Sequence, residues 1–270
     1  MNTPALQKQI EGANAYEALF VPALFAQWAP LVADAAHIQP GQRVLDVACG
    51  TGVLAREVLS RVGPGGQVAG LDPSPGMLAV AARRAPGVAW REGVAESLPF
   101  PDRSFDAVVS QFGLMFFADR AQALREMLRV LAPGGRLAVA VWDSVENMPA
   151  YAQEAALLER TAGRPAADAL RAPFVLHHPG ELAALFEQSG LPPAEIATHQ
   201  GTARFPGIRI MVEADLRGWL PVMGVNLTED RIQSILRQAE RSLDALVGAD
   251  GTVTFPLSAH LVTTRKPGNS

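Results

Sequence analysis

Apolar residues follow two rhythms along this chain. Between residues 43 and 142, short apolar runs alternate with stretches whose apolar positions recur every three or four residues, the pattern of strands alternating with helices. The runs predict strands over 43–48, 67–71, 88–91, 105–110 and 136–142. The periodic stretches predict helices over 53–62 and 75–84. A further helix is expected after Asp119, which suits an N-cap, with an apolar stripe of Ala121, Leu124, Leu128 and Leu131. Upstream, segment 15–36 carries Leu19, Leu24, Phe25, Trp28, Leu31 and Val32 at helical spacing, with Pro22 and Pro30 as expected breaks.

Beyond Trp142 the pattern loosens. Helices are predicted over 146–161 and over 179–189, the latter closed by Gly190, and strands over 194–205 and 251–265. Between those strands lie a helical stretch, 208–220, and a strongly periodic one, 228–247, bearing Ile232, Ile235, Leu236, Leu243 and Leu246. Thr228 suits its cap, and Glu229 and Asp230 suit the positive end of its dipole.

Five strands with helices between most of them predict a parallel, doubly wound α/β sheet. Runs such as Phe105-Asp106-Ala107-Val108-Val109 suit a sheet covered on both faces. Ligands of such sheets bind beyond the carboxyl ends of the strands, which brings Gly50, Gly52, Asp72 and Gln111 to one edge. The reading is of one domain over 1–270: a helical cap, 1–40; a cofactor-binding core, 43–142; cover or lid helices, 143–193; and terminal strands, 194–270, with a helical insertion, 208–247. Gly218, Pro221 and Gly224 are possible bends in that insertion. Pro192-Pro193 reads as loop and 266–270 as a frayed end.

Composition narrows the function. The 270 residues are 49% hydrophobic and carry a formal net charge of -4, which rules against disorder and gives no field to gather a nucleic acid. Cys49 is the single cysteine; alone it makes no internal disulfide and holds no metal, so a reduced, cytoplasmic protein without structural zinc is expected. Residues 1–11 lack a basic-then-apolar signal pattern, and no run of eighteen apolar residues is free of charge, so no stable membrane insertion is expected. Monomer and homodimer are both compatible.

The chemistry concentrates after the first strand. Asp46-Val47-Ala48-Cys49-Gly50-Thr51-Gly52 places two glycines where a strand turns into a helix, permitting positive φ and close approach of a ligand. Taken alone, Gly50, Gly52 and Ala55 followed by Asp72 also satisfy the dinucleotide fingerprint, so NAD stays open at this point. Among the bland readings, Met77, Met115 and Met127 suit core filling, with Met77 alone close enough to Asp72 for a cofactor contact. Phe112, Leu114, Met115, Phe116 and Phe117 suit either a pocket wall or ordinary core, and His37 the surface. His177 and His178 are the candidate catalytic pair, because free imidazole titrates near neutrality; surface positions before a helix suit them equally.

Three motifs in order, Val44 to Gly52, Gly70-Leu71-Asp72-Pro73-Ser74, and Gly93-Val94-Ala95-Glu96-Ser97-Leu98-Pro99-Phe100, resemble the class I S-adenosylmethionine-dependent methyltransferases of the quinone-biosynthesis type. The likeness continues through Phe105 to Ser110 and Leu131-Ala132-Pro133-Gly134-Gly135, then fades beyond Trp142. It implies a Rossmann-like, seven-stranded sheet whose last strand, about 254–264, is antiparallel, with N-terminal helices and a helical lid insertion. It implies transfer of a methyl group from S-adenosyl-L-methionine to a small, mainly apolar molecule. For the cofactor it implies Asp46 near the methionyl ammonium, Ala48, Gly50, Thr51 and Gly52 in the turn beneath it, and Asp72 on the ribose. Pro73, Ser74 and Met77 would lie by the adenine, Gly93, Ala95 and Glu96 would flank it, Gln111, Phe112 and Gly113 would line the methionyl side, and Tyr16 would close the site. The remaining alternatives are an NAD-dependent oxidoreductase and an inactive methyltransferase fold that only binds a partner.

Overall fold

The computed structural model describes residues 3–268. Helix α1 (Pro4–Phe20), a π-helical turn (Val21–Phe25) and α2 (Trp28–Ala35) precede the first strand. The core then alternates β1 (Arg43–Val47), α3 (Val53–Val62), β2 (Gln67–Asp72), α4 (Pro75–Arg84), β3 (Ala89–Glu92), β4 (Phe105–Gln111), α5 (Arg120–Val130) and β5 (Leu131–Trp142). Next come α6 (Pro149–Ala162), α7 (Arg164–Arg171), α8 (Pro179–Gln188), β6 (Glu195–Phe205) and α9 (Ile208–Ala214). A π-helical turn (Asp215–Trp219), the short α10 (Leu220–Val222), α11 (Glu229–Ser242) and β7 (Val253–Arg265) complete the order.

The seven strands form one sheet in the order β3-β2-β1-β4-β5-β7-β6. Neighbours from β3 to β5 pair in parallel; β7 runs antiparallel to β5 and β6. The order reverses between β1 and β4, so a crevice opens beyond their carboxyl ends. The expected sheet and its antiparallel last strand are both present.

Local chemistry explains the boundaries. Asp119, Ser74 and Thr228 cap α5, α4 and α11 by accepting from Gln122, Met77 and Arg231 backbone N–H groups. The stripe expected on α5 is displaced: its buried residues are Ala123, Leu124, Met127 and Val130, while Leu131 begins β5. That strand starts earlier than expected because Leu131 pairs with Phe105 and the ladder resumes only at Arg136 opposite Ala107. Pro133, which has no N–H to offer a ladder, lies in the interruption.

Two helices fall inside the expected helical cap and cover stretches without bounds of their own in the sequence pattern. Most of α1 precedes residue 15, and α7 lies within the cover helices. The break expected at Pro22 is a π-helical turn in which Ala26 N–H donates to the Val21 carbonyl at 2.8 Å. Pro30 sits in the first turn of α2, where it leaves the helix intact. The frayed end expected over 266–270 falls partly outside the described residues; 266–268 have no regular structure.

Trp28, Leu45, Leu124, Leu137 and Phe186 are fully buried. Helices α2 and α3 pack together on the sheet, and α5 and α8 form a second layer. Segment 208–247 leaves the carboxyl edge after β6 and returns at β7, with α11 lying on α6 and α9. Among the described residues no single helix is long and apolar enough to cross a membrane.

Candidate active site

The turn after β1 is wound in the left-handed region: φ is +58° at Ala48, +53° at Gly50 and +84° at Gly52. Ala48 carries a side chain there and costs about 1–3 kcal/mol of strain, so the surrounding structure holds the turn in place. Cys49 N–H donates to the Leu71 carbonyl at 3.0 Å, and Gly52 N–H to the Cys49 carbonyl at 2.8 Å. The glycines differ in purpose. A Cβ on Gly52 would meet the Trp90 ring at 2.5 Å, whereas one on Gly50 would meet nothing within 4 Å. Gly52 is thus small for packing, and Gly50 leaves open space on the ligand side.

A cavity of about 30 Å³ lies against this turn, lined by Tyr16, Phe25, Asp46, Ala48, Cys49, Gly50, Thr51, Val53, Leu54 and Gln111. Asp46, 1% exposed, has no hydrogen-bond partner on either carboxylate oxygen among the described residues. Burial holds its carboxyl well above the ordinary range, opposed by the Ala55 N–H in the first turn of α3, which lies outside hydrogen-bond geometry, and likewise pushes the Cys49 thiol and the Tyr16 phenol upward. An unpartnered buried carboxylate is costly, and its missing partner is a cation or a hydrogen-bond donor.

Asp72, at the end of β2, borders the same turn. Its Oδ2 accepts from Gly50 N–H and its Oδ1 from Ser74 N–H, both at 2.9 Å. Burial raises its carboxyl above the ordinary value, opposed by those two N–H groups.

Six of the expected cofactor residues, Tyr16, Asp46, Ala48, Gly50, Thr51 and Gln111, come together on the cavity. Asp72 and Ser74 stand beside them. Pro73 is exposed, and Met77 packs against the α1 cluster of Ile10 and Ala13. Gly93 N–H donates to the Asp72 carbonyl at 3.2 Å, and Ala95 is buried in the core. The Glu96 carboxylate is occupied elsewhere, accepting from Ala118 N–H at 2.8 Å and Asp119 N–H at 3.3 Å. Gly113 is buried where a Cβ would sit 2.6 Å from that of Ala48. Phe112, at φ +57°, stacks on Trp142 with centroids 3.8 Å apart.

The aromatic run after β4 divides. Phe112, Leu114 and Met115 are buried core, whereas Phe116 is 46% exposed and meets Trp219 of the insertion at 5.3 Å. Phe25 and Trp28 complete an aromatic wall with Phe112 and Trp142. Gln111 Nε2 donates to the Phe25 carbonyl at 3.1 Å, while its Oε1 is unpartnered.

His177 and His178 lie at the start of α8 and do not line this cavity. His177 Nδ1 is 2.7 Å from the Phe174 carbonyl, and His178 is exposed, as His37 is. His177 instead borders a separate cleft of about 220 Å³ with Val145, Glu146, Arg171, Phe174 and Val175.

The sequence reading missed the latch that seats α1. The Glu17 carboxylate, 6% exposed as a residue, accepts from Thr51 Oγ1, from Arg56 at 2.9 Å and pairs with Arg84 at 3.1 Å. Arg56 also donates to the Thr51 carbonyl at 2.8 Å. One acid thereby ties α1 to the glycine turn, α3 and α4. Gly76 lets the helices touch, since a Cβ there would lie 2.6 Å from that of Gln9.

Comparison with known proteins places this geometry among others. Residues 45–139 match the family described as "Methyltransferase domain". The chain is 49% identical over 114 residues to the demethylmenaquinone methyltransferase of Renibacterium salmoninarum, covering 42% of this chain and 47% of that one. It is 45% identical over 126 residues to a ubiquinone/menaquinone biosynthesis C-methyltransferase of Ectopseudomonas mendocina, covering 44% and 49% respectively. The chain spans about half the length of these curated relatives. A solved structure of phosphoethanolamine N-methyltransferase 2 from Haemonchus contortus, bound to S-adenosylhomocysteine, superposes with a TM-score of 0.59 over 96% of this chain and 57% of that one. It is 19% identical, a likeness of fold.

Proposed function

We infer that this chain, whose segment 45–139 matches a methyltransferase domain family, transfers a methyl group from S-adenosyl-L-methionine to a small, mainly apolar metabolite. The observation that carries the reading is Asp46: a buried, unpartnered carboxylate beside a glycine turn with open space at Gly50. A pyrophosphate would keep that buried acid protonated, whereas the cofactor's ammonium favours its ionised form and supplies a charged partner. Asp72 stands ready for the ribose hydroxyls, and Gln111 Oε1 offers a second unpartnered acceptor.

When bound, the cofactor supplies an activated sulfonium methyl that a nucleophile can take directly. The chain's own contribution is alignment and exclusion of water. Orientation of this kind contributes roughly 7–11 kcal/mol in favourable cases. Phe25, which lines the cavity and is backed by the buried Phe112 and Trp142, suits a flat, apolar acceptor of the phenol or quinone-precursor class. That class agrees with the names of the quinone-methylating relatives, although their matched portion is the cofactor half. Neither His177 nor His178 faces the cavity, so the acceptor is turned over by placement, with no obligatory histidine base.

The cavity beside Asp46 holds little more than a water-sized group. Admission of a nucleoside therefore requires Tyr16 and α1 to swing outward and reseat. Segment 208–247 acts as the lid on the acceptor side, bending in the π-helical turn that contains Gly218 and at Gly224, where φ is +78°. The reaction is assigned to the cytoplasm.

Calorimetry with S-adenosylhomocysteine and with NAD tests the cofactor. One-to-one binding of the former and none of the latter is expected; the reverse would overturn the reading. A methylation screen of a metabolite pool with labelled donor then identifies the acceptor, and binding without any transfer would favour an inactive fold.

A further inference from the structure

Two carboxylates lie buried far from the glycine turn in sequence, where the helical insertion meets α6. Glu154, on α6, is 0% exposed with neither oxygen hydrogen-bonded; Asp215, 4% exposed, has its Oδ2 unpartnered. Glu154 feels the Asp215 charge, and Tyr151, one turn before Glu154 on α6, feels both. Asp215 opens the π-helical turn, in which Leu220 N–H donates to the Asp215 carbonyl. A π turn inserts a residue into a helix and re-aims its side chains, and such turns are common at functional positions.

Among the described residues neither acid is in an ion pair. Arginines of the insertion and of α7 are engaged with other groups: Arg217 with Glu213 and Glu229, Arg209 with Gln233 and Glu240, Arg171 with Glu159 and Asp168. Arg231 of α11 donates to the Thr161 carbonyl at 2.5 Å, and Arg164 pairs with Asp168. Two ionised carboxylates in this setting would repel one another in a low dielectric, whereas protonated ones do not.

We propose that the insertion lies closed over α6 only while the buried Glu154 and Asp215 hold their protons, so that the insertion opens as pH rises. Burial pushes the Asp215 carboxyl up to about 8 and holds Glu154 well above the ordinary range. In the opened state both acids meet water and return to roughly 4. The closed state therefore binds more protons than the open one between those limits. Closure is fully favoured below the lower limit and is progressively lost as pH rises toward the upper one. The device operates in the free protein and does not depend on which cofactor or acceptor binds.

Hydrogen exchange of the full chain between pH 5.5 and 8.5 tests this, each rate being divided by that of an unstructured peptide at the same pH. Peptides spanning 208–222 should show an excess opening that rises with pH, by up to about tenfold per unit for each acid, and bends over as Asp215 ionises near pH 8, while those of α3 stay flat. Asp215→Asn and Glu154→Gln keep side-chain size and remove one titrating group each, so each should reduce the slope. A flat wild-type profile would overturn the proposal without any variant. A rising profile that neither substitution alters would overturn it equally, by moving the titration to other groups.

Discussion

Replacing Glu17 with alanine removes the latch at its centre. Three partners are lost at once, and they are not equal. Thr51 is 1% exposed, and a hydrogen bond from a buried hydroxyl to a charged acceptor contributes about 1.5–3 kcal/mol. The Arg56 side chain is 27% exposed, so its ion pair adds at most about 1 kcal/mol. Arg84 is 51% exposed and adds little after solvent screening. Together, closure of α1 should weaken by about 3 kcal/mol, or roughly 150-fold in the closing equilibrium. Stopped-flow displacement of bound S-adenosylhomocysteine reads this directly, with an off-rate rising by as much as two decades. Glu17→Gln, which keeps an acceptor for Thr51 but not the charge, should fall between. Limited proteolysis should cut α1 faster in both variants. An off-rate within threefold of the parent, with unchanged proteolysis, would show that α1 does not control the cavity.

Four further outcomes are expected. Asp72→Ala should weaken S-adenosylhomocysteine binding by about 1.5–3 kcal/mol in calorimetry, and unchanged affinity would remove Asp72 from the site. Gly76→Ala, by forcing Gln9 off α4, should reproduce the faster off-rate of the Glu17 variants; a normal off-rate would count against close helix contact as the reason for that glycine. The pH dependence of cofactor binding follows from Asp46: burial favours its protonated form in the free protein, an ammonium beside it favours the ionised form, so binding releases a proton. Affinity should then rise with pH between about 4 and the raised Asp46 value, by up to tenfold per unit; a flat profile, or a slope that survives Asp46→Asn, would refute this. Finally, His177→Ala and His178→Ala should leave turnover within a few-fold, and a loss of about a hundredfold or more with folding and cofactor binding intact would restore a general base.

The central strands β1, β2, β4 and β5 were legible because their cores are apolar runs set off by glycine or proline turns, and the edge that gathers Gly50, Asp72 and Gln111 follows from their order. Helix α1 was not. Its buried face is Ile10, Ala13 and Glu17, and the acid on that face interrupts the apolar stripe by which a helix is read. The same reason hid Glu154 and Asp215, which look like solvent-facing positions until the fold buries them. Helix α7 buries Ala166, Ala167, Ala169 and Leu170, three of them too small to mark a face. On α5 two stripes satisfied the same spacing, and only tertiary packing selects Ala123 and Met127 over Ala121 and Leu128. Tyr16 came from the family likeness alone and does meet Asp46 and Gln111 at one cavity; Glu96 does not, because loop N–H groups claim its carboxylate.

The antiparallel pairing of β5 with β7 carries a consequence for biosynthesis. Strand β5 meets on one side β4, which is made just before it, and on the other β7, whose register runs from Arg136 opposite Arg265 to Trp142 opposite Ala259. While the ribosome synthesises the cover helices, β6 and the insertion, that second side of β5 has no partner. Its Leu137-Ala138-Val139-Ala140-Val141-Trp142 run is uncharged and rich in β-branched and aromatic residues, the character of an edge that pairs with other chains. Nascent molecules are therefore most exposed to aggregation between emergence of β5 and arrival of β7, and holding factors that bind extended apolar segments would act in that interval.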